Sequence, residues 1–276
     1  MIHFICALKC EASPLIEHYQ LKHIQKAELF NIYINNENGV SLTITGVGKL
    51  AAAMATTYTY TFLQCEADDV WINMGVAGHA THNVGDIYIA NRIEDVSNTS
   101  TWYPQLVIDT SIPTAGLQSL DQPSTEYNNS LYDMEAAGFI FSASRFATSE
   151  LSHSIKVISD NQLSPTDRLS AKSISKLIDA AKESIVMFAS QLETLSLELS
   201  SDLDISDDFQ LFTAKWHFTQ YQQNELNKLL HRHHLLAPAT SPIKSISSSC
   251  NKAKEVLDSL RTSLDNIPFN LTKQDV

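Results

Sequence analysis

Three carboxylates, Glu11, Glu135 and Asp160, stand where secondary-structure elements are expected to begin or end. Acids at strand and helix ends can be gathered by parallel strands into one place, where they could move protons. Each also has a plainer reading. Glu11 suits the first turn of a helix, where the dipole favours a negative charge. Glu135 opens the nearly all-apolar run Met134 to Thr148; a lone acid there is paired or used, because burying a bare carboxylate is expensive. Asp160 follows an apolar strand and could cap the next segment.

Two glycine-bearing corners lie near these acids in the expected topology. Thr45-Gly46-Val47-Gly48-Lys49-Leu50-Ala51-Ala52-Ala53 reads as a strand end entering an Ala-rich helix, and Val70 to Met74 closes on Gly75-Val76-Ala77-Gly78. Such corners let backbone N–H groups approach a ligand, although tight strand–helix packing explains them equally well.

The elements needed to position these residues alternate along the chain. Strands are expected at Ile2 to Leu8, Glu28 to Ile34, Val40 to Thr45, Val70 to Met74, the run after Val84-Gly85-Asp86, and Ser154 to Ser159. Helical spacing appears at Glu11 to Tyr19, after Gly48, over Met134 to Thr148, and over Ser170 to Leu195. Asp109 to Asn129, rich in Ser, Thr, Pro, Asp and Gly, reads as mostly loop. This order predicts an α/β layer architecture over residues 1–198. Past Ser200 an acidic linker leads to helical runs at Phe209 to Leu236 and Ser245 to Leu264, broken at Ala237 to Pro242, so a helical C-terminal extension is expected over 199–276.

Composition narrows the function classes. The chain has 276 residues, 43% hydrophobic and 18% charged, with a formal net charge of −12. A surface of that sign repels phosphate backbones, so no nucleic-acid partner is expected. No apolar run reaches the roughly 20 residues of a spanning helix. The opening Met1 to Leu8 lacks a basic flank and reads as a buried strand rather than a leader, giving an expectation of a cytoplasmic protein without a membrane partner. Cys6, Cys10, Cys65 and Cys250 form no CxxC pair and read as buried thiols. His231, His233 and His234 lack companions that would complete a ligand set, so no metal and no cofactor are expected.

Read together, the segments resemble the nucleoside phosphorylase superfamily, most closely its methylthioadenosine/S-adenosylhomocysteine nucleosidase branch. The resemblance is carried, in order, by Ala7-Leu8-Lys9-Cys10-Glu11-Ala12, the Thr45 to Ala53 corner, Ile72-Asn73-Met74-Gly75-Val76-Ala77-Gly78, Val84-Gly85-Asp86-Ile87, Asp133-Met134-Glu135-Ala136-Ala137 and Ile158-Ser159-Asp160-Asn161, and it spans roughly Met1 to Leu195. It implies cleavage of a ribosyl C–N bond, with Asp160 as general acid to the leaving purine. Glu135, beside Met134, would grip the ribose hydroxyls, and Glu11 would position and deprotonate the attacking water. Val76, Ala77, Gly78 and Ser159 complete the expected substrate contacts. The resemblance also implies a three-layer α/β/α fold with a central mixed sheet, a homodimer, and a small nucleoside as partner.

The chain departs from the family pattern in ways that bear on chemistry. Ile72 to Val76 holds no arginine and Val76 stands where a Ser or Thr is usual, so a phosphate nucleophile is poorly served and hydrolysis is favoured over phosphorolysis. Leu117 to Leu131 is shortened and lacks the usual base-stacking aromatic; Asp121 or Gln122 could take over, or the stretch is an ordinary loop. Lys156 replaces an arginine on its strand. Trp102-Tyr103-Pro104 reads as cover for the sheet, and Lys215-Trp216-His217-Phe218 as a packing anchor.

Overall fold

The computed structural model describes residues 1–124, 129–164, 169–201, 206–237, 240–246, 250 and 252–267. The first half supplies β1 (Ile2–Cys6), α1 (Lys9–His18), β2 (Lys22–His23), β3 (Asn31–Asn35), β4 (Val40–Ile44), α2 (Lys49–Leu63), β5 (Val70–Gly78), β6 (Ile87–Asp95), β7 (Thr101–Trp102) and β8 (Thr114–Ser119). There follow β9 (Leu131–Asp133), α3 (Ala136–Ala143), β10 (Ser152–Asp160), α4 (Ala171–Ser201), α5 (Ser206–Lys215), α6 (Gln220–Leu236), α7 (Ile243–Ile246) and α8 (Ala253–Asp265).

The ten strands among the described residues join one mixed sheet. β1 runs parallel to both β4 and β5, and β5 runs parallel to β10. From β10 the sheet continues through antiparallel β6, then β8 and β9. β9 returns to β5 through the single antiparallel pair Tyr132–Gly78. Five strands, β5, β10, β6, β8 and β9, therefore close a ring, while β1, β4, β3 and β2 extend away from it.

Alternation along the strands gives each face its own helices. On β1, Phe4 packs on Tyr19 at the end of α1, while Ile5 joins Phe139 and Ile140 of α3 in a buried cluster. On β10, His153 meets Phe188 of α4, while Ile158 joins the α3 cluster. Helices α2 and α3 thus cover one face and α1 and α4 the other.

The segment read as loop over Asp109 to Asn129 contains β8, and β9 follows it; positions 125–128 lie outside the described residues. Thr114-Ala115-Gly116-Leu117-Gln118-Ser119 is too small and polar to read as a strand alone, yet parallel pairing with β6 makes it one. The helix expected over Met134 to Thr148 is shorter, α3 covering only Ala136–Ala143.

The chain divides into two compact units, Met1–Glu198 and Leu199–Val276. In the second, Phe212, Trp216, Phe218, Leu226, Val256 and Leu260 share a core, and the Trp216 indole donates to the Cys250 carbonyl at 3.1 Å. The run Phe209 to Leu236 is two helices rather than one, parted before Thr219, whose side chain accepts the Gln222 N–H to cap α6. The acidic linker at 202–205, the break at 238–239 and much of 247–251 lie outside the described residues. No described helix is long and apolar enough to cross a membrane.

Candidate active site

A cavity of about 370 Å³ opens at the carboxyl ends of β1, β5 and β10. Glu11, Asp160, Glu135, Met134, Val76, Ala77, Gly78 and Ser159 all line it. The three acids, far apart in sequence, are each at most 8% exposed there.

Glu11 is fixed at both oxygens. One accepts the Leu8 N–H at 2.8 Å and the other the Val76 N–H at 3.0 Å. That placement depends on Gly75, where an added Cβ would lie 2.8 Å from Glu11 Oε1. Burial raises the Glu11 carboxyl, against the pull of the Val76 N–H and the Lys156 charge. Glu11 keeps lone pairs on both oxygens, so it can still accept a proton from a bound water.

Glu135 sits at the start of α3 and receives the Gly48 N–H at 2.8 Å from the mouth of α2. Burial first, and the neighbouring Asp133 charge second, push its carboxyl up to about 7. Lys156, 1% exposed, lies beneath and pairs with Asp133 at 2.8 Å. Burial disfavours the Lys156 charge, but Asp133, Glu135 and Glu11 more than offset it and raise its pKa. Asp133 is tied further by the Ser119 hydroxyl at 2.6 Å and the Ala136 N–H at 2.9 Å. The floor is thus three buried acids around one buried ammonium.

Asp160 closes β10 at a bulge, where Ile158 pairs with Ala77 and Asp160 with Gly78. The bulge turns the carboxylate toward the cavity, a common use of that irregularity beside active sites. Ser159 donates its hydroxyl to Asp160 Oδ1, and the Asp160 carbonyl accepts the His79 N–H at 3.1 Å. The Gly85-Asp86 turn grips the same strand, Gly85 N–H and Asp86 carbonyl both bonding Ile158 at 2.8 Å.

Several further residues line the cavity, among them Leu8, Val47 and Asp133 from the segments singled out in the sequence and others that had no distinct signal there. Leu8, Val47, Leu120, Pro123, Leu169 and Ile174 give the cavity an apolar side, and Tyr132 and Asp133 enter it from β9. This strand of three residues, Leu131–Asp133, is too short to carry an alternating pattern, so Tyr132 went unread. Asp121 and Gln122, expected as possible substrate contacts, are not among the lining residues. Asp121 pairs instead with Lys49 at 2.7 Å, which also binds Asp95, and Gln122 is exposed. Trp102, Tyr103 and Pro104 border a separate hollow of about 150 Å³ with Ile140 and Ser152.

Among the described residues one group has metal-ligand chemistry, His3, Cys65 and Asp69. It lies near the opposite end of β1 from the cavity. His3 is held between Ser41 at 2.7 Å and Asp69 at 3.2 Å, and burial pushes the Cys65 thiol up to about 12. His233 is buried and His231 and His234 half-buried in the second unit.

No protein-family model matches the sequence, and no curated protein matches it. Solved structures do. The apo 5'-methylthioadenosine nucleosidase of Arabidopsis thaliana superposes with a TM-score of 0.55 at 16% identity, over 75% of this chain and 98% of that one. The 5'-methylthioadenosine/S-adenosylhomocysteine nucleosidase of S. pneumoniae, bound to the transition-state inhibitor MT-ImmA, gives 0.52 at 18%, over 69% and 99%. The corresponding nucleosidase of Colwellia psychrerythraea, in complex with adenine, gives 0.51 at 19%, over 71% and 94%. The chain has the fold of these nucleosidases, which belong to the nucleoside phosphorylase superfamily.

Proposed function

We propose that the protein hydrolyses the N-glycosidic bond of a purine-like nucleoside or thionucleoside and releases the free base. The observation that carries this reading is the convergence of Glu11, Glu135 and Asp160 on one cavity of about 370 Å³, each with different partners. Glu135 accepts the ribose hydroxyls on lone pairs that Gly48 leaves open, with Met134 against the sugar. As the C1'–N bond breaks, its electron pair goes to the base and positive charge develops on the sugar. Asp160 gives its proton to the base nitrogen, Glu11 takes one from water, and the hydroxide oxygen bonds C1'. Val76, Ala77, Gly78 and Ser159 shape the wall against which substrate lies.

Phosphorolysis is the second reading, and the site's electrostatics argue against it. The described lining residues include no arginine or lysine, and the Leu8 and Val76 N–H groups that could cradle an anion are taken by Glu11. Lys156 is committed to Asp133. Base release from a nucleoside panel, with and without phosphate, tests the reading. Turnover independent of phosphate is expected; turnover that requires it makes the enzyme a phosphorylase, and a silent panel removes the enzymatic reading.

The protein also acts as a homodimer in this proposal. Leu50 is 82% and Met54 63% exposed, one turn apart on α2, and Phe141 of the adjoining α3 is 50% exposed. Val47, at the start of this face, lines the cavity too, so a second copy there would border the substrate. Leu50→Glu is expected to give a monomer by sedimentation velocity; an unchanged boundary would place the contact elsewhere. Four free cysteines fit a reducing cytosol.

A further inference from the structure

The apolar side of the cavity names no obvious partner for a flat heterocycle until the pairing at the ring's closure is followed. Gly78 sits at the centre of three neighbouring strands. On one side it pairs with Asp160 of β10, and on the other with Tyr132 of β9. Residues paired across a sheet point to the same face, and strands lie about 4.8 Å apart. Tyr132 and Asp160 therefore rise about 10 Å apart on one face, with a residue lacking a side chain between them. All three line the cavity, and Tyr132 is 9% exposed.

We infer that Tyr132 is the aromatic residue that contacts the base and selects a purine over a pyrimidine. This assignment rests on the nucleosidase reading and extends it to the nature of the leaving group. The bare strip over Gly78 is the place from which a leaving base can reach the Asp160 proton, and its far border is the Tyr132 ring. An aromatic face there holds a heterocycle by its π surface, which grows with ring area, so two fused rings gain more than one. The other residues bordering this side, Leu120, Pro123 and Ser124, supply no aromatic ring. Selection by ring area rather than by a particular edge pattern leaves the site tolerant of substituents on the purine.

The test uses the full chain and 2-aminopurine, whose fluorescence is quenched on stacking. Wild type and Tyr132→Phe are expected to bind it with equal affinity and to quench it. Tyr132→Leu is expected to bind at least about 10-fold more weakly without quenching; Tyr132→Val serves if the leucine variant fails to fold. In turnover, the aliphatic variant should raise KM for purine nucleosides far more than for pyrimidine nucleosides, with kcat less affected. Wild-type affinity and quenching in the aliphatic variant would overturn the assignment, as would a wild type that does not bind the probe. A wild type that binds and quenches the probe yet releases no base from any nucleoside sinks the nucleosidase reading and leaves the role of Tyr132 in base binding standing.

Discussion

Glu135 changes its charge within the range in which a cell works. Its carboxyl, ordinarily near 4.5, loses its proton in the folded chain at about 7. Between those values the folded state binds the proton more tightly than the unfolded state. Stability therefore falls as pH rises from about 4.5 to about 7, by up to roughly 3 kcal/mol, and is flat above. In the proposed mechanism function runs the other way, because the ionised form would accept the ribose hydroxyls. The expected profile is a kcat/KM that climbs to a plateau above about pH 7, with Glu135→Gln lower and lacking that limb. A pH profile that the substitution leaves unchanged would detach the limb from Glu135. Asp160→Asn, which cannot donate an acidic proton, is expected to lower kcat by about 10²-fold or more while base binding persists; single-turnover kinetics would show whether the loss lies in bond cleavage. The three acids were legible in sequence because each stands at the edge of an apolar run, where a charge needs a reason. Tyr132 was not, since a tyrosine between Leu131 and Asp133 carries no such contrast.

Helix α3 shows how closely two elements must fit to hold Glu135. A Cβ added at Gly138 would lie 1.9 Å from the Lys49 carbonyl of α2, which is backbone and has little freedom to yield. The Ser142 hydroxyl donates to the Ala53 carbonyl at 3.1 Å, tying the same two helices together. Gly138→Ala should force α3 from α2, destabilise the fold by about 1–3 kcal/mol or more, and pull Glu135 from the Gly48 N–H. Chemical denaturation and KM measure the two effects, and an unaltered midpoint would mean the helices part freely. Elements with strong apolar periodicity, β1, β4, β5, β10 and α4, were legible because burial writes the pattern. β8 was not, since its strand character comes from the β6 backbone beside it, a partner no local window contains. The split between α5 and α6 was hidden because Trp216 and Phe218 continue the apolar run through the break.

At the scale of the whole molecule the two units keep separate cores. Trp71 is fully buried in the first and Trp216 is 6% exposed in the second. Thermal unfolding is expected to show two transitions, of which Trp216→Phe removes the fluorescence of one and leaves the other. A single transition seen alike by fluorescence and calorimetry would mean that the units melt as one. The change of texture near Ser200 made the boundary readable in sequence.

The ring of five strands carries a consequence for how the chain is made. β5 is complete once Gly78 is synthesised, but its second long flank waits for β10, which ends at Asp160. Throughout that interval a nine-residue apolar strand has an unpaired row of N–H and C=O groups. A nascent chain halted before β10 should therefore be a substrate for chaperones and proteases, and one carried past it should resist both. Emergence of Asp160 from the ribosome and the closing of the strand ring become the same event.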